Sequence, residues 1–321
     1  MLVTAEPTQA ALALAAGHLA GIPTETVYGL AANAAQPSAV SRVYQVKGRP
    51  ADHPLIVHLA DSAAMDAWAV DIPEYARALA DAYLPGPLTL ILRRSTKAKD
   101  FVTGGQDTVA LRVPGHPLAR DVIRRFGELV KDPTAGIAAP SANRFGRVSP
   151  TSAQDVANDI GELLTERDCI LDGGPSTVGV ESTIVDCTGP QPVILRPGKI
   201  SSADIIATTG LELGDRTSTR APGTLASHYA PEARVCVVTP EELSDKDKEG
   251  AGLLALASVA TPQGMVRLSA PANAQEYATV LYRALREADS LQLRTIYAVA
   301  PEGDGICEAI NDRLTRAAHG E

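Results

Sequence analysis

The sequence predicts an α/β protein of two domains joined by a long tether. Short apolar runs of strand length alternate with segments of helical periodicity along most of the 321 residues, which is typical of α/β architectures. A chain of this length exceeds what one hydrophobic core usually holds. The alternation stops once, in a stretch rich in Gly, Pro, Ser and Thr within 201–231. We therefore predict domains over 1–205 and 232–321, with a linker over 206–231.

Apolar runs bounded by turn residues predict the strands of the first domain, and periodic segments predict its helices. The segment 38–47 has its apolar residues on one face, with Ser38 as the expected N-cap and Gly48 just past the end. Further helices are predicted over 61–69 (capped by Asp61), 73–83 (opened by Pro73), 117–126, 151–164 and 202–208. The predicted strands are 55–60, 88–93, 108–113, 136–142, 182–187 and 192–197.

The same alternation resumes on a smaller scale after the tether. Three apolar runs (RVCVVT, GLLALAS and TIYAVAP) are typical of buried parallel strands. Helical patterns separate them near 240–248, 273–288 and 305–318. These residues predict a compact Rossmann-like domain at the carboxyl end.

Charge and composition exclude several classes of protein. The net charge is −9, from 29 Lys and Arg against 38 Asp and Glu, and the first 200 residues carry 18 − 21 = −3. A binder that tracks phosphates along a nucleic acid is disfavoured, although a local basic pocket is compatible with these totals. Aromatic residues are only 4% of the chain, which disfavours base-stacking platforms.

Neither export nor metal binding is indicated. The first 23 residues lack a basic n-region, and a Pro and a His interrupt their apolar run, so a helix on the core is expected there. No uninterrupted apolar stretch is long enough to cross a bilayer. The cysteines Cys169, Cys187, Cys236 and Cys307 have no zinc-ligand spacing and are expected to be reduced thiols in a cytoplasmic protein.

Common nucleotide and hydrolase motifs are missing. No GxxxxGK[ST] loop is present, and no GxGxxG follows a strand of the second domain, so a dinucleotide cofactor is not expected. The HExxH, GxSxG and protein-kinase signatures are missing too.

Four segments instead concentrate polar residues at strand or helix ends: PTETVYGL (23–30), KGRPADHPLIVH (47–58), APSANRFGRVSPT (139–151), and LDGGPSTVGVESTIVD with ILRPG (171–186, 194–198). Lys47 and Arg49 suit a polyphosphate, but helix C-capping by positive charge is an equal alternative. Ser149 suits an anionic ligand or simply caps the next helix. His58, among apolar neighbours, is more typical of a core residue than of a ligand. Arg112, inside an apolar strand, requires an anionic partner or a cavity.

These motifs in this order, together with PGPLT and LRVPGHP, strongly resemble threonylcarbamoyl-AMP synthases of the YrdC type, over about 22–200. The tether APGTLASHYAP and the second domain resemble the longer, two-domain branch, in which the linker lies over the active-site cavity. The resemblance implies a twisted mixed sheet with helices around a concave cavity. It also implies that L-threonine and bicarbonate form a carbamate that attacks the α-phosphate of ATP, which releases pyrophosphate and L-threonylcarbamoyladenylate.

Further expectations follow from the same resemblance. A separate tRNA threonylcarbamoyl transferase would move the product to the adenosine beside the anticodon of ANN-decoding tRNAs, so tRNA is only an indirect partner and no membrane is involved. Magnesium is expected on the ATP phosphates, without protein ligands, and no zinc is expected.

The resemblance also assigns roles to individual positions. The Lys-x-Arg and Ser-x-Asn signature, taken as catalytic, falls on Lys47, Arg49, Ser141 and Asn143. The positions expected to contact ATP are Arg49, His53, Thr108, Ser141, Ser149, Arg196, His228 and Tyr229. Those expected around threonine are Thr26, His58, Arg112, Ala139 and Ser182, with Arg112 on the carboxylate. Two positions depart from the family pattern: His53 stands where Asn is usual, and Ala221 where the tether usually has Ser.

Two other functions compete with this one. An RNA-binding module on the same fold is disfavoured by the net charge and by the few aromatic residues. A carbamoyl transferase of the hydrogenase-maturation type would also carry zinc-finger Cys clusters and an acylphosphatase segment, and the sequence has neither.

Overall fold

The computed structural model describes residues 2–215, 218–223, 229–246 and 249–319. Within these ranges the chain forms one large mixed sheet, built from residues before 200, and one small sheet, built from residues after 230. Helices cover both sheets. The predicted fold class, a mixed α/β domain followed by a smaller α/β domain, is confirmed. The exact boundaries at 205 and 231 stay predictions.

Eleven strands of the described chain belong to the large sheet, in the order β1-β9-β2-β3-β8-β4-β7-β6-β10-β11, with β5 paired to β6. The sheet contains both parallel and antiparallel pairs; β4 runs parallel to β7, and β6 runs antiparallel to β7. The strands are β1 Leu2–Thr4, β2 Ala20–Ile22, β3 Gly29–Asn33, β4 Ile56–His58, β5 Ala69–Val70, β6 Leu88–Arg94, β7 Thr108–Arg112, β8 Ile137–Ala138, β9 Cys169–Leu171, β10 Thr183–Asp186 and β11 Val193–Arg196.

The α-helices described in the first domain are α1 Pro7–Ala15, α2 Pro37–Lys47, α3 Met65–Trp68, α4 Glu74–Tyr83, α5 Asp100–Thr103, α6 Pro117–Val130, α7 Ala153–Ile160 and α8 Ser202–Thr209. Helix α5 has no counterpart among the predicted helices, α6 continues four residues past its predicted end at 126, and α7 ends four residues before 164.

Three predicted helix starts differ from the structure. Helix α2 begins one residue before Ser38, because Pro37 occupies its first turn and Gln36 is the N-cap. Pro73 is the N-cap of α4 instead of its first helical residue. Helix α7 starts after Ser152, whose hydroxyl accepts from the backbone N–H of Asp155 in a capping box. Ser149 therefore does not cap this helix.

The second domain has a four-stranded parallel sheet in the order β12-β15-β13-β14 within the described residues. Its elements are β12 Arg234–Val237, β13 Ala251–Leu254, β14 Val266–Ser269, α9 Ala274–Ser290, β15 Thr295–Ala298 and α10 Ile306–Ala318. The predicted helix near 240–248 is a short 3₁₀ turn over Glu241–Asp245. None of the helices described is both long and apolar enough to cross a membrane.

The two domains share a hydrophobic cluster. Val178 and Val180 of the first domain pack with Tyr277, Tyr282 and other residues of the second. Gly179 lies between the two valines at a φ of 81°, and a Cβ there would collide with the backbone of α9. This glycine therefore allows the first domain to approach α9 at backbone distance.

Candidate active site

A small cavity lies beside the carboxyl ends of β4 and β7. The loop that follows β8 forms one side of it, and the tether residues Pro222, Gly223 and Tyr229 form another. Its free volume is about 50 Å³, whereas pockets that bury a ligand of drug size typically hold about 300–1,000 Å³. The cavity as described is therefore smaller than a typical ligand pocket, and tether residues form part of its wall.

Two basic side chains, at and just after the end of helix α2, line the cavity. Lys47 is the last residue of this helix, and Gly48 ends it with a φ of 64°, so that Arg49 also reaches the cavity wall. Lys47 Nζ donates to the carbonyl oxygens of Ser141 and Asn143, both at 2.6 Å, and not to carbonyls of its own helix. Burial lowers the pKa of Lys47 well below its ordinary value, and nearby Arg49 adds to this effect.

Arg49 keeps one donor without a partner. Its Nη2 donates to the carbonyl of Pro54 at 3.0 Å, and its guanidinium lies 5.7 Å from the ring centroid of Phe145. Its Nε is buried and has no hydrogen-bond partner among the described residues. Burial lowers the pKa of Arg49 to about 10, so the group is still charged at neutral pH. A buried donor without an acceptor is costly, which marks this atom as a place for a ligand oxygen.

The loop after β8 is held in shape by Asn143. Its Nδ2 donates to the carbonyls of Arg144 and Arg147 at 2.8 and 2.7 Å. Its Oδ1 is buried and unsatisfied within the described part of the chain. Ser141 sits at the start of the loop, where it forms an isolated bridge with Gly29. The loop thus presents a fixed backbone to the cavity.

Arg196, the last residue of β11, is buried, and within the described residues it hydrogen-bonds only to neutral oxygens. Its Nε and Nη2 donate to the Ser182 carbonyl at 3.1 and 3.0 Å, and Nη2 also reaches Ser182 Oγ at 3.1 Å. Its Nη1 donates to the carbonyl of Pro222 in the tether at 3.1 Å. Burial lowers the pKa of Arg196. No carboxylate of the described residues forms an ion pair with it.

Glu181 is the one carboxylate among the described residues that line the cavity, and the second domain holds it. Its Oε1 accepts from Ser149 Oγ at 2.6 Å. Its Oε2 accepts from Tyr282 Oη on α9 and from Arg313 Nε on α10, both at 2.8 Å. Burial alone would raise the pKa of Glu181, but Arg313 and Arg196 lower it to about 2. This side chain is therefore ionised at neutral pH.

Arg112 lines the cavity and already has an anionic partner. Its Nη2 lies 2.6 Å from Glu25 Oε1, and its Nε donates to the carbonyl of Gly86 at 3.3 Å. Glu25 Oε2 accepts from the backbone N–H groups of Gly115 and His116 at 2.9 and 3.3 Å. Burial raises the pKa of Glu25, but Arg112 and these hydrogen bonds outweigh it, and the net shift is downward.

Three of the residues predicted around threonine lie beside Arg112 on the cavity wall. The Thr26 hydroxyl hydrogen-bonds to the Thr24 hydroxyl at 2.8 Å. The Ala139 backbone N–H donates to the Ile56 carbonyl at 3.1 Å. His58 Nδ1 lies 3.3 Å from that same carbonyl, and burial lowers the pKa of His58 to about 3. The imidazole is therefore neutral at physiological pH.

Four other predicted positions within the described residues do not line this cavity. Ser182 lies behind Arg196 and hydrogen-bonds to Thr89 Oγ1 at 2.7 Å, and Ser149 is buried against Glu181. His53 packs edge-on against Phe145, with 5.5 Å between ring centroids. Thr108 begins β7 and lines a larger, open pocket of about 1,070 Å³. His228 lies outside the described residues.

Tyr229 anchors the end of the tether. It has a φ of 65°, which is unusual for a residue other than glycine. Its buried ring stacks on Tyr282 with 5.6 Å between centroids, and Arg313 lies 5.1 Å above it. Side chains from the second domain thus fix this tether residue at the cavity wall.

The larger pocket has a different chemistry. Its walls carry Asp71, Asp100 and Asp107 together with Arg93 and Arg94, and Arg94 is already paired with two of these acids. Nothing in the described ranges brings three or more His, Cys, Asp or Glu together in a way that could hold a metal ion. The buried cations are concentrated in the smaller cavity, which is the better candidate for an anion site.

Sequence reasoning did not assign two acids of this site. Glu25 stood within the segment 23–30, and the anionic partner required by Arg112 could have led to it. Glu181 was noted only as part of its motif. No local signal indicated its partners, because Tyr282 and Arg313 lie 101 and 132 residues further along the chain.

Fold and site together define a two-domain α/β protein with a cation-lined cavity whose wall includes residues of an interdomain tether. Comparison with known proteins identifies the family. A family model described as "Telomere recombination", which groups Sua5, YciO and YrdC proteins, matches residues 12–198. A second model, "Threonylcarbamoyl-AMP synthase, C-terminal domain", matches residues 196–319. The chain belongs to the threonylcarbamoyl-AMP synthase family, in its two-domain form.

Individual relatives agree with this assignment. The threonylcarbamoyl-AMP synthase of Pyrococcus abyssi is 40% identical, with 94% of this chain and 91% of the relative covered. That of Bacillus subtilis is 39% identical, with 97% and 92% covered. A crystal structure of P. abyssi Sua5 complexed with L-threonine superposes with a TM-score of 0.86 at 37% identity, covering 99% of this chain and 97% of that one.

Proposed function

We propose that the chain is a nucleotidyltransferase that makes L-threonylcarbamoyladenylate from ATP, L-threonine and bicarbonate, with release of pyrophosphate. The observation that carries this proposal is that Lys47, Arg49 and Arg196 line one buried cavity without a carboxylate partner among the described residues. Buried basic groups of this kind favour a polyanion such as a triphosphate. The L-threonine complex of the P. abyssi relative supports the amino-acid substrate.

The reaction has two chemical steps. The amino group of L-threonine attacks the carbon of bicarbonate, and loss of water gives the N-carboxylate. An oxygen of this carbamate then attacks the α-phosphorus of ATP. The bond between that phosphorus and the bridging oxygen breaks, and pyrophosphate leaves with the electron pair. Both steps require aligned reactants and neutralised charge rather than a covalent nucleophile.

The two ends of the cavity suit the two substrates. Arg49 and Arg196 would bind the triphosphate, and the buried Nε of Arg49 offers a donor that has no acceptor in the described residues. Arg112 would bind the threonine carboxylate beside Thr26 and His58. Because His58 is neutral, it can hydrogen-bond to the threonine without adding charge.

ATP is expected as its magnesium complex, with the metal held by phosphate oxygens. The cavity fits this arrangement, since its described lining offers Glu181 as its one carboxylate and that side chain is already occupied by Arg313. Magnesium would spread the negative charge of the triphosphate. The product would pass to a separate transferase, which modifies the adenosine beside the anticodon of ANN-decoding tRNAs.

Pyrophosphate release tests the proposal directly. The purified chain should release pyrophosphate from ATP only when L-threonine and bicarbonate are both present, and mass spectrometry should detect the adenylate. L-Serine and L-valine, which each lack one part of the threonine side chain, serve as matched substrate controls. Equal release in the absence of threonine would overturn the proposal.

A further inference from the structure

The charge of Glu181 is balanced across the domain boundary. Glu181 is 6% exposed and lies on the cavity wall with Arg196, which is 4% exposed. Its ion-pair partner, however, is Arg313 of α10, at 2.8 Å and with a side chain that is 1% exposed. Both buried guanidinium groups act electrostatically on this one carboxylate and lower its pKa, but only the group from the second domain pairs with it.

The pairing of Glu181 with Arg313, and not with Arg196, affects the end of the cavity proposed to bind ATP. An ionised carboxylate and a guanidinium attract each other strongly away from water. Arg313 and Arg196 are the two cations that lower the pKa of Glu181. Without Arg313, Glu181 would be left to Arg196, and an Arg196 paired in this way would no longer attract a phosphate. In the structure, Arg196 instead donates to neutral oxygens of Ser182 and Pro222.

Other contacts hold Glu181 in this arrangement. Tyr282 Oη donates to the same carboxylate oxygen as Arg313, and Ser149 occupies the opposite oxygen. Arg313 is itself fixed through its Nη2, which donates to the Pro197 carbonyl at 3.0 Å, and by Asp312, which pairs with its Nη1. The guanidinium is thus held on the side of Glu181 that belongs to the second domain.

We propose that Arg313 is a positioning residue for ATP binding: it neutralises Glu181 from the second domain and so leaves the positive charge of Arg196 available to the triphosphate. This inference rests on the proposed function, because it takes ATP as the ligand of Arg196. It gives the second domain a direct part in substrate binding. Arg313 would act through Glu181 and would not touch ATP itself.

The test compares ATP and threonine binding in the full-length chain. Arg313→Met should raise the dissociation constant for Mg-ATP about tenfold or more, measured by calorimetry at pH 8. The constant for L-threonine should change less than threefold. Arg286→Met is the matched control, since Arg286 also forms a half-buried interdomain pair, with Asp159 at 2.6 Å. Arg286 donates to Asp159 and to the Val148 carbonyl but not to Glu181, and neither it nor Arg313 lines the cavity. The control should therefore change neither constant more than threefold.

A double variant separates positioning from folding. Adding Glu181→Gln to Arg313→Met removes the charge that would capture Arg196, so ATP affinity should return to within threefold of wild type. A purely structural role for Arg313 predicts no such rescue. An equal loss of ATP and threonine affinity in Arg313→Met, or no rescue in the double variant, would overturn the inference.

A second variant serves if Arg313→Met does not fold, as judged by circular dichroism. Glu181→Gln alone should then bind Mg-ATP as tightly as wild type or more tightly, and tenfold weaker binding would overturn the inference. Failure of the proposed function would give a different result, because the wild-type chain itself would then neither bind ATP nor release pyrophosphate.

Discussion

Arg112 and Glu25 form a buried ion pair, 2.6 Å apart, at the end of the cavity predicted to bind threonine. The pair links the strand β7 to the Thr-Glu-Thr turn, and two backbone N–H groups complete the binding of the carboxylate. Glu25 thus neutralises Arg112 when no substrate is present. A threonine carboxylate that binds Arg112 must share the guanidinium with Glu25, whose orientation the backbone fixes.

Removing Arg112 should weaken threonine binding selectively. We expect Arg112→Ala to lose about 1.5–3 kcal/mol of threonine binding free energy, or roughly tenfold to a hundredfold in affinity, because one charge-assisted pair is lost. ATP affinity should change less than threefold. Calorimetry with each ligand measures both. If the two affinities fall together and the variant melts early, Arg112 has only a structural role.

Glu25→Gln is the matched variant for this pair. It leaves Arg112 in place and removes only the competing charge, so threonine should bind as tightly as in wild type or more tightly. The cost should appear instead as a lower unfolding temperature, because a buried guanidinium loses its counter-charge. Weaker threonine binding in this variant would mean that Glu25 itself orients the substrate.

The sequence predicts the elements of this fold best where they are long or end in distinctive residues. The strand β6 and the helix α6 have enough residues to show a period, and Gly48 marks the end of α2. Strands β2 and β9 have only three residues each, which is too few for a period. They exist because neighbouring strands supply their hydrogen bonds, and that information is not local.

The residues of the site also divide into those that the local sequence predicts and those that depend on long-range packing. The motifs predict which side chains carry chemistry, and the structure brings Lys47, Arg49, Arg112 and Arg196 to one cavity. The partners of Glu181 were not predictable from spacing, because Tyr282 and Arg313 belong to the second domain. Long-range pairs of this kind depend on packing between domains.

The buried His58 should make stability depend on pH in a defined direction. Its pKa is about 3 in the folded chain, lowered by burial and by Arg112, against about 6.5 when unfolded. Between these values the unfolded state binds more protons, so stability falls as pH falls below about 6.5. The slope from this one group is at most about 1.4 kcal/mol per pH unit.

Denaturant melts between pH 7.5 and 5.0 measure this slope above the range where carboxyl groups titrate. His58→Gln should flatten it, since the glutamine binds no proton in either state. His53→Gln is the control, because His53 is only partly buried, and it should leave most of the slope in place. An unchanged slope in His58→Gln would show that other groups cause the acid sensitivity.

Gly179 should be required for docking of the two domains. At this position a Cβ would meet the Ala278 carbonyl and the Thr279 Cα. Gly174 has nearly the same φ, 79° against 81°, but nothing within 4 Å of its Cβ position. Gly174→Ala should therefore cost only the backbone penalty, about 1–2 kcal/mol of unfolding free energy. Gly179→Ala should cost about 1–3 kcal/mol more, from overpacking. Equal losses of unfolding free energy in the two variants would mean that the domain interface accommodates the added methyl group without strain.

The tether should open when ATP enters and close again over bound substrates. Its described part is held to the first domain by Gln106, whose Oε1 accepts from the backbone N–H of Arg220 at 2.8 Å and whose Nε2 donates to the Arg220 carbonyl at 3.1 Å. The Arg220 side chain also lies 3.5 Å from Asp52. These contacts are exposed, so they are weak enough to break and re-form.

Limited proteolysis can follow this motion. Trypsin cleaves after Arg216, which lies outside the described residues, or after Arg220. Cleavage after Arg220 requires its contacts with Gln106 and Asp52 to break. We expect Mg-ATP together with L-threonine to slow this cleavage, because a filled cavity gives the closed tether more to pack against.

Gln106→Ala removes both hydrogen bonds to Arg220 and should speed cleavage several-fold without ligands. It should also increase the release of free adenylate, since a loosely closed site exposes the intermediate to water. Gln154→Ala, which removes an exposed hydrogen bond to Asn158 on α7, is the control and should change neither rate. Cleavage that is insensitive to ligands and to Gln106→Ala would show that the tether is only a spacer.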